Sequence, residues 1–415
     1  MESLSLFNTN KEKKIFFLLI LFTFIFNVSM DYIKYKNFIK NEIFKTNGIV
    51  LNIYHKAKYI ILKVETDNFT FFTSIVPDSK IKLFYEIDLF ILTQDINFIS
   101  YLQGFYTKSF NIIEKPRSIL KKEKIYNLID SQHTNKEISS LYSALFIATS
   151  LTTKIRQISS QLGISHLIAI SGFHLGVISF VLYFIIHLLY SSIHTKLIPY
   201  RNKKFDILLC IVGILFLYLI FLNNPPSLLR AFVMFTFALF LLRNNIKVIS
   251  FETLLIITLF IVVIFPKLLF SLSLLFSISG VFYIFLFLKY FKNLNKYIQF
   301  IIFNFWIYFA INPITHYFFG TLSKEQLYSP ILTILFTLFY PLSILLHSFN
   351  IGDLFDNFLQ SIINLNITSI EIFTPFWIFL FYIGISLFAS KYKSVFILLN
   401  TLIISYNIWL FSFIF

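Results

Sequence analysis

The chain has 415 residues, of which 57% are hydrophobic and 13% charged, against about 25% charged in soluble domains, so a soluble enzyme or binding module is excluded in favour of a polytopic membrane protein. The net charge of +15 is uneven: residues 141–415 hold 16 Lys and Arg against 6 Asp and Glu. Short cytoplasmic loops demand such an excess by themselves, so the charge permits nucleic-acid binding without requiring it.

At the N-terminus, Lys11, Lys13 and Lys14 precede an apolar run from Ile15 to Val28. No small-x-small cleavage pattern follows in Asn27-Val28-Ser29-Met30, so residues 1–30 read as an uncleaved anchor with a cytoplasmic N-terminus. Residues 31–113 change character. Runs at 48–54, 59–65, 69–73 and 81–92 are β-type, separated by polar turns such as 65–68 and 77–80. Strands of this number and length predict a small extracytoplasmic β-barrel of the OB type. Such barrels bind single strands through aromatic and basic side chains, and Tyr54, Lys56, Lys58, Tyr59 and Lys63 are the candidates for that contact. A folded spacer with no ligand is the alternative.

Residues 114–140 are polar and read as a helical linker, and residues 141–415 as the polytopic domain. Spans are expected at 165–190, 206–222, 228–242, 248–265, 268–288, 298–318, 329–348, 370–390 and 394–414, which with the anchor makes about 10. Lys and Arg at 194–204, 243–247 and 289–296 mark cytoplasmic loops. That alternation frays late in the chain: Lys391 and Lys393 fall outside by counting, and Asp353 to Leu365 reads as an amphipathic helix on a membrane surface. The one cysteine, Cys210, lies in an apolar run, so neither a disulfide framework nor a cysteine zinc site is available.

Polar groups at membrane depth are costly and rarely kept without a task. Ser165, His166, Ser171, Gly172, His174 and Gly176 cluster at the start of one apolar segment. On an unbroken helix the two imidazoles stand about 80° apart, close enough to share a cavity. In 225–231, two prolines stop one helix, Ser227 reads as the N-cap of the next, and Arg230 sits one turn inside it. Asn312-Pro313 and His316 read as a kinked helix end with a satisfied histidine, and Ser271, Ser273, Ser277 and Ser279 with Gly280 as a helix interface. Ser171 beside His174 also imitates an intramembrane serine hydrolase. That chemistry needs a base within hydrogen-bond reach and an oxyanion site, and three-residue spacing on one helix disfavours it. No phosphate-loop or zinc signature is present, so no enzyme activity and no cofactor are expected.

The run Gly163-Ile-Ser-His166-Leu-Ile-Ala169-Ile170-Ser171-Gly172-Phe-His174-Leu-Gly176 resembles the ComEC family, the inner-membrane DNA channel of natural competence. Pro226-Ser227-Leu-Leu-Arg230-Ala231 is similar to a second pattern of that family, and Asn312-Pro313 through Gly320 to a later one, more loosely. Two positions depart: residues 144–149 replace a Leu-Gly-Asp, and Ser271-Leu272 replaces a Gly-Phe. The resemblance implies a channel passing single-stranded DNA across the inner membrane, lined by Ser165, His166, Ser171, Gly172, His174, Gly176, Ser227 and Arg230. It implies membrane lipid, a periplasmic DNA receptor and a cytoplasmic motor or single-strand-binding protein as partners. Many members carry a metallo-β-lactamase-like domain; here the sequence given stops at Phe415, and a separate nuclease is expected. A polytopic transporter, or a hydrolase using Ser171 and His174, remains the alternative.

Overall fold

The computed structural model describes residues 9–55, 59–76, 81, 83–115, 121–244 and 248–415. Helix α1 (Asn10–Phe38) opens on a Thr9 cap and continues well past the expected anchor. Its last turns leave the apolar run and enter a sheet domain, where Tyr35 and Phe38 are buried and the Tyr35 hydroxyl donates to the Ile96 carbonyl at 2.9 Å.

The sheet domain holds β1 (Ile43–His55), β2 (Ile60–Glu65), β3 (Thr70–Ile75) and β4 (Glu86–Leu92), then α2 (Phe98–Gln103), β5 (Phe105–Tyr106) and β6 (Ser109–Glu114). The strand order is β5-β3-β2-β1-β4-β6, with antiparallel pairs throughout except β3 with β5. Alternation along β2 and β4 puts Leu62, Val64, Ile87, Leu89 and Ile91 in the core, where Phe38 and Tyr101 cap one end. The expected runs each give a strand, the last only over 86–92, but the described residues make an open six-stranded sheet rather than a closed barrel. Its edges approach only locally, with Thr73 donating to Ser109 Oγ at 2.7 Å.

Helix α3 (Lys121–Asp130) leads to α4 (Lys136–Ile147), α5 (Thr153–Gln161) and the single-turn α6 (Ser165–Ile168). The boundary expected at residue 140 falls inside α4, whose Ile138, Tyr142 and Leu145 belong to the core of the helical domain. The long helices follow: α7 (Gly172–Leu197), α8 (Lys203–Phe221), α9 (Pro226–Arg243), α10 (Phe251–Ile264), α11 (Leu272–Tyr290) and α12 (Lys296–Phe318). After β7 (Thr321–Leu322) come α13 (Ser329–Ser348), α14 (Asp356–Ile363), β8 (Ile370–Glu371), α15 (Phe376–Ala389) and α16 (Lys393–Phe411). Among the described residues, seven helical segments are long and apolar enough to cross a membrane. Two shorter apolar helices are α10 and α15. Lipid-type surface is plain on α7, where Phe180, Phe184 and Leu188 are 74%, 61% and 59% exposed.

Membrane-type polar pairs hold the far end of this bundle. Asn312 donates to Asn407 Oδ1 at 2.7 Å, and Trp306 Nε1 donates to Asn400 at 2.7 Å, joining α12 to α16. His316 Nδ1 faces the Ile372 carbonyl at 3.2 Å, as a satisfied histidine should.

Candidate functional site

The polar motif is not one helix. Ile164 to Ile168 make a single turn, then Ala169 and Ser171 adopt extended backbone before α7 begins at Gly172. The expected span at 165–190 therefore starts seven residues late, and the backbone between the histidines is open. The chemistry explains the break: β-branched Ile170, then a serine that caps, then a glycine with weak helix propensity. At the cap, the Ser171 N–H donates to His174 Nδ1 at 3.2 Å, and Ser171 Oγ lies 3.3 Å from the same nitrogen. An Nδ1 that accepts an N–H carries no proton, so Nε2–H is the neutral tautomer. His174 is fully buried, edge-on to Tyr340 of α13 at 4.6 Å and to Phe336 at 5.5 Å, and its Nε2 finds no hydrogen-bond partner among the described residues.

Three further elements close on this break. Gly163 has φ +67°, and its carbonyl accepts from Ser329 Oγ at 2.9 Å. Ser227 Oγ donates to the Ile170 carbonyl at 2.6 Å, tying α9 to the extended segment. Ser227 is therefore not the N-cap expected; Pro225 holds that position, and the hydroxyl is spent across the site instead. Gly172, exposed at the start of α7, faces Ala231 of α9, and a Cβ there would make ordinary contact at 3.4 Å from Ala231 Cβ. Arg230, 3% exposed, donates to the carbonyl and the hydroxyl of Ser273, where α11 begins. The guanidinium thus braces α9 against α11. Ser273 is a hydrogen-bond partner as well as an interface residue.

The candidate residues separate by access. Ser165 and His166 are exposed, whereas His174 and Arg230 are buried. Protein crowds His166 and pushes its imidazole down by desolvation, although the side chain stays open to solvent. The exposure limits that desolvation, and the displacement is downward, away from the charged form. An accessible side chain amid protein is open to solvent or a ligand, unlike one in a packed core. Gly176 stands apart: it is exposed and heads the apolar stripe of Phe180 and Phe184, so its surroundings are those of a lipid face.

Sequence reading missed the polar row leading to His166. Lys154, Arg156 and Gln157 are exposed on α5 while Ile155 and Ile158 are buried, an amphipathic spacing visible in 153–161. Arg156 lies 5.8 Å from the Tyr54 ring, so the sheet domain meets the helical domain beside the site. Lys122 makes a second junction: its Nζ donates to the Leu222 carbonyl at 3.3 Å and sits over Phe84 at 5.0 Å. Burial pushes Lys122 down to about 8, and burial pushes nearby Glu65 up. Of the other barrel candidates, Tyr59 is 44% exposed, Lys63 lies 6.0 Å from the Phe72 ring, and Lys56 and Lys58 fall outside the described residues.

A family model described as Competence protein matches residues 148–380, more than half of the chain and all of the helix-break site. No curated protein and no solved structure matches.

Proposed function

The chain belongs to the competence protein family, which gives it a role in DNA uptake, and from that premise we propose that it passes single-stranded DNA across the cytoplasmic membrane. The observation that carries this reading is the helix break at 169–171, with Ser165 and His166 exposed beside the buried His174 and Arg230. A strand bearing one charge per nucleotide needs a wet path, and binding along it must be weak enough for release. Neutral imidazole and hydroxyl groups meet that need better than a row of free cations. Arg156 at the sheet junction gathers phosphates electrostatically before that path, with Tyr54 and Lys63 supplying further contacts on the sheet.

The topology we propose has a cytoplasmic N-terminus and an outer-face sheet domain. Two contacts support it. Lys13 pairs with Glu252 at 3.3 Å, placing the start of α10 beside the N-terminal lysines. Lys267, after α10, donates to the Asn68 carbonyl of the sheet domain. Helix α13 is then a helix of the outer face rather than a span. Strands β7 and β8 pair, so the chain leaves α12 and enters α15 on one side. The middle of α13 packs on His174 in the first turn of α7. With α13 not crossing, Lys391 and Lys393 turn inward, where the positive-inside rule wants them. Lys289 donates to the Ser390 carbonyl at 2.6 Å, which supports the same sidedness.

Catalysis is not part of this proposal. The Ser171–His174 contact is explained by the cap, and Nδ1 is already occupied by a backbone N–H. A nuclease, a periplasmic receptor and a motor are proposed as separate partners. Deletion of the gene, with labelled DNA scored separately in periplasm and cytoplasm, tests the reading. The expected result is DNA retained outside the inner membrane; undiminished cytoplasmic DNA overturns it.

A further inference from the structure

The joint of α4, α13 and α14 carries three titratable side chains that the proposed path does not use. His133, on the turn between α3 and α4, and His347, in the last turn of α13, are both buried. His133 Nδ1 lies 2.9 and 3.0 Å from the two carboxylate oxygens of Asp356, the first residue of α14. His347 Nδ1 lies 2.7 Å from the Ser343 carbonyl. The two remaining ring nitrogens, both Nε2, lie 3.0 Å apart.

The proton count follows from the partners. A backbone carbonyl only accepts, so His347 Nδ1 carries hydrogen. An ionised carboxylate only accepts, so His133 Nδ1 carries hydrogen too. Were both rings neutral, each Nε2 would present a lone pair to the other at hydrogen-bond distance with nothing between. The 3.0 Å spacing is a bond only when one additional proton lies there. Shifting a proton across Nδ1 onto Asp356 leaves the total unchanged. In either arrangement the three groups together are neutral, which removes most of the cost of burying them.

We propose that Asp356, His133 and His347 form a one-proton binding site, and that the bound proton latches the end of α13 to the α3–α4 turn and to α14. The side chains in contact with the rings are neutral, and two further carboxylates, Asp130 and Asp353, lie on the neighbouring segments. Tyr142 of α4 stacks on His133 at 4.8 Å and meets His347 at 4.4 Å. Gln132 donates to the His347 carbonyl at 3.2 Å and to Asn350 Oδ1 at 3.3 Å. Asp130 accepts from Ser139 at 2.5 Å, and Asp353 is exposed. Among the described residues, Asp356 is the one carboxylate paired with either ring. Two helical turns back along α13 from His347 stands Tyr340, edge-on to His174. Loss of the proton therefore loosens the helix that packs against the site.

Hydrogen–deuterium exchange of the full chain in lipid nanodiscs tests this, from about pH 6 to about pH 10, corrected for intrinsic exchange rates. The readout is protection at 131–135 and 345–356 relative to α16. The wild type should lose protection by up to about tenfold per pH unit from the range where a free imidazole titrates up to a single upper transition, where the folded site gives up its one proton and protection levels off. Asp356→Asn removes the charge that balances the proton, so the transition should move to lower pH. His347→Gln supplies an amide N–H to His133 Nε2 without an extra proton, so its protection should stay flat. Flat wild-type protection, a transition unmoved in Asp356→Asn, or a wild-type transition in His347→Gln would each overturn the proposal. Should His347→Gln fail to fold, the Asp356→Asn shift still decides.

Discussion

If Arg230 braces α9 against α11, its bonds to Ser273 should carry measurable energy. The guanidinium is 3% exposed and gives two of its N–H groups to that one residue. Bonds from a charged donor contribute about 1.5–3 kcal/mol each, so two sum to about 3–6 kcal/mol. Burial of the charge offsets several kcal/mol of this, so Arg230→Met should cost only about 1–3 kcal/mol net. A double-mutant cycle with Ser273→Ala cancels the desolvation and isolates the hydroxyl bond, with an expected coupling of about 1.5–3 kcal/mol. The assay is reversible unfolding in mixed micelles, followed by far-ultraviolet circular dichroism. Arg230→Lys keeps the charge but loses the planar fork, and should recover less than half of the coupling. A coupling below about 0.5 kcal/mol would refute the brace through Ser273.

Lys122 makes stability depend on pH. Its displacement from 10.5 to about 8 corresponds to roughly 3 kcal/mol. Between those values the unfolded chain holds a proton that the folded chain has released, so stability rises with pH across the window. The wild-type-minus-Lys122→Met difference in unfolding free energy should show that rise; a flat difference contradicts it. Gly163→Ala places a Cβ at φ +67° and 3.3 Å from Ser329 Cβ, and should cost about 1–2 kcal/mol in the same assay. Gly163→Asn should cost less, because asparagine tolerates left-handed backbone, and equal costs would count against the strain argument. Ser227→Ala leaves the Ile170 carbonyl without its donor, so amides 169–174 should exchange severalfold faster while α16 is unchanged. Uniform protection in that variant would show the bond to be idle.

Much of the site was legible because its residue types are expensive in an apolar segment. The two histidines, the Ser-Gly pair and Arg230 stand out on that ground alone, and the alternating strands of the sheet domain are plain. The Ser171-Gly172 pair marked a weak point in the helix, but the extent of the break at 169–171 was not legible, because the apolar residues around it continue a helical period and the bond from Ser227 that holds the extended backbone is tertiary. The role of Arg230 was hidden for a similar reason, since Ser273 is 43 residues away. Helix α13 is long and apolar enough to cross, as its sequence suggests, and its place on the outer face in the topology proposed above rests on a contact that length and hydropathy do not report. The β7–β8 pairing that returns the chain to the same side spans only two residues on each strand. His133, His347 and Asp356 carry no motif, and only the fold brings His133 within 3.0 Å of the other two.

The central claim is that the strand passes the accessible wall at the helix break. A photo-crosslinking residue at Ser165, exposed beside His166, tests it in cells taking up labelled DNA, with Phe184 on the lipid-type face as control. The account predicts a covalent adduct with single-stranded DNA at position 165 during uptake and none at 184. Uptake that proceeds with no adduct at 165, or with equal adducts at both positions, would contradict it.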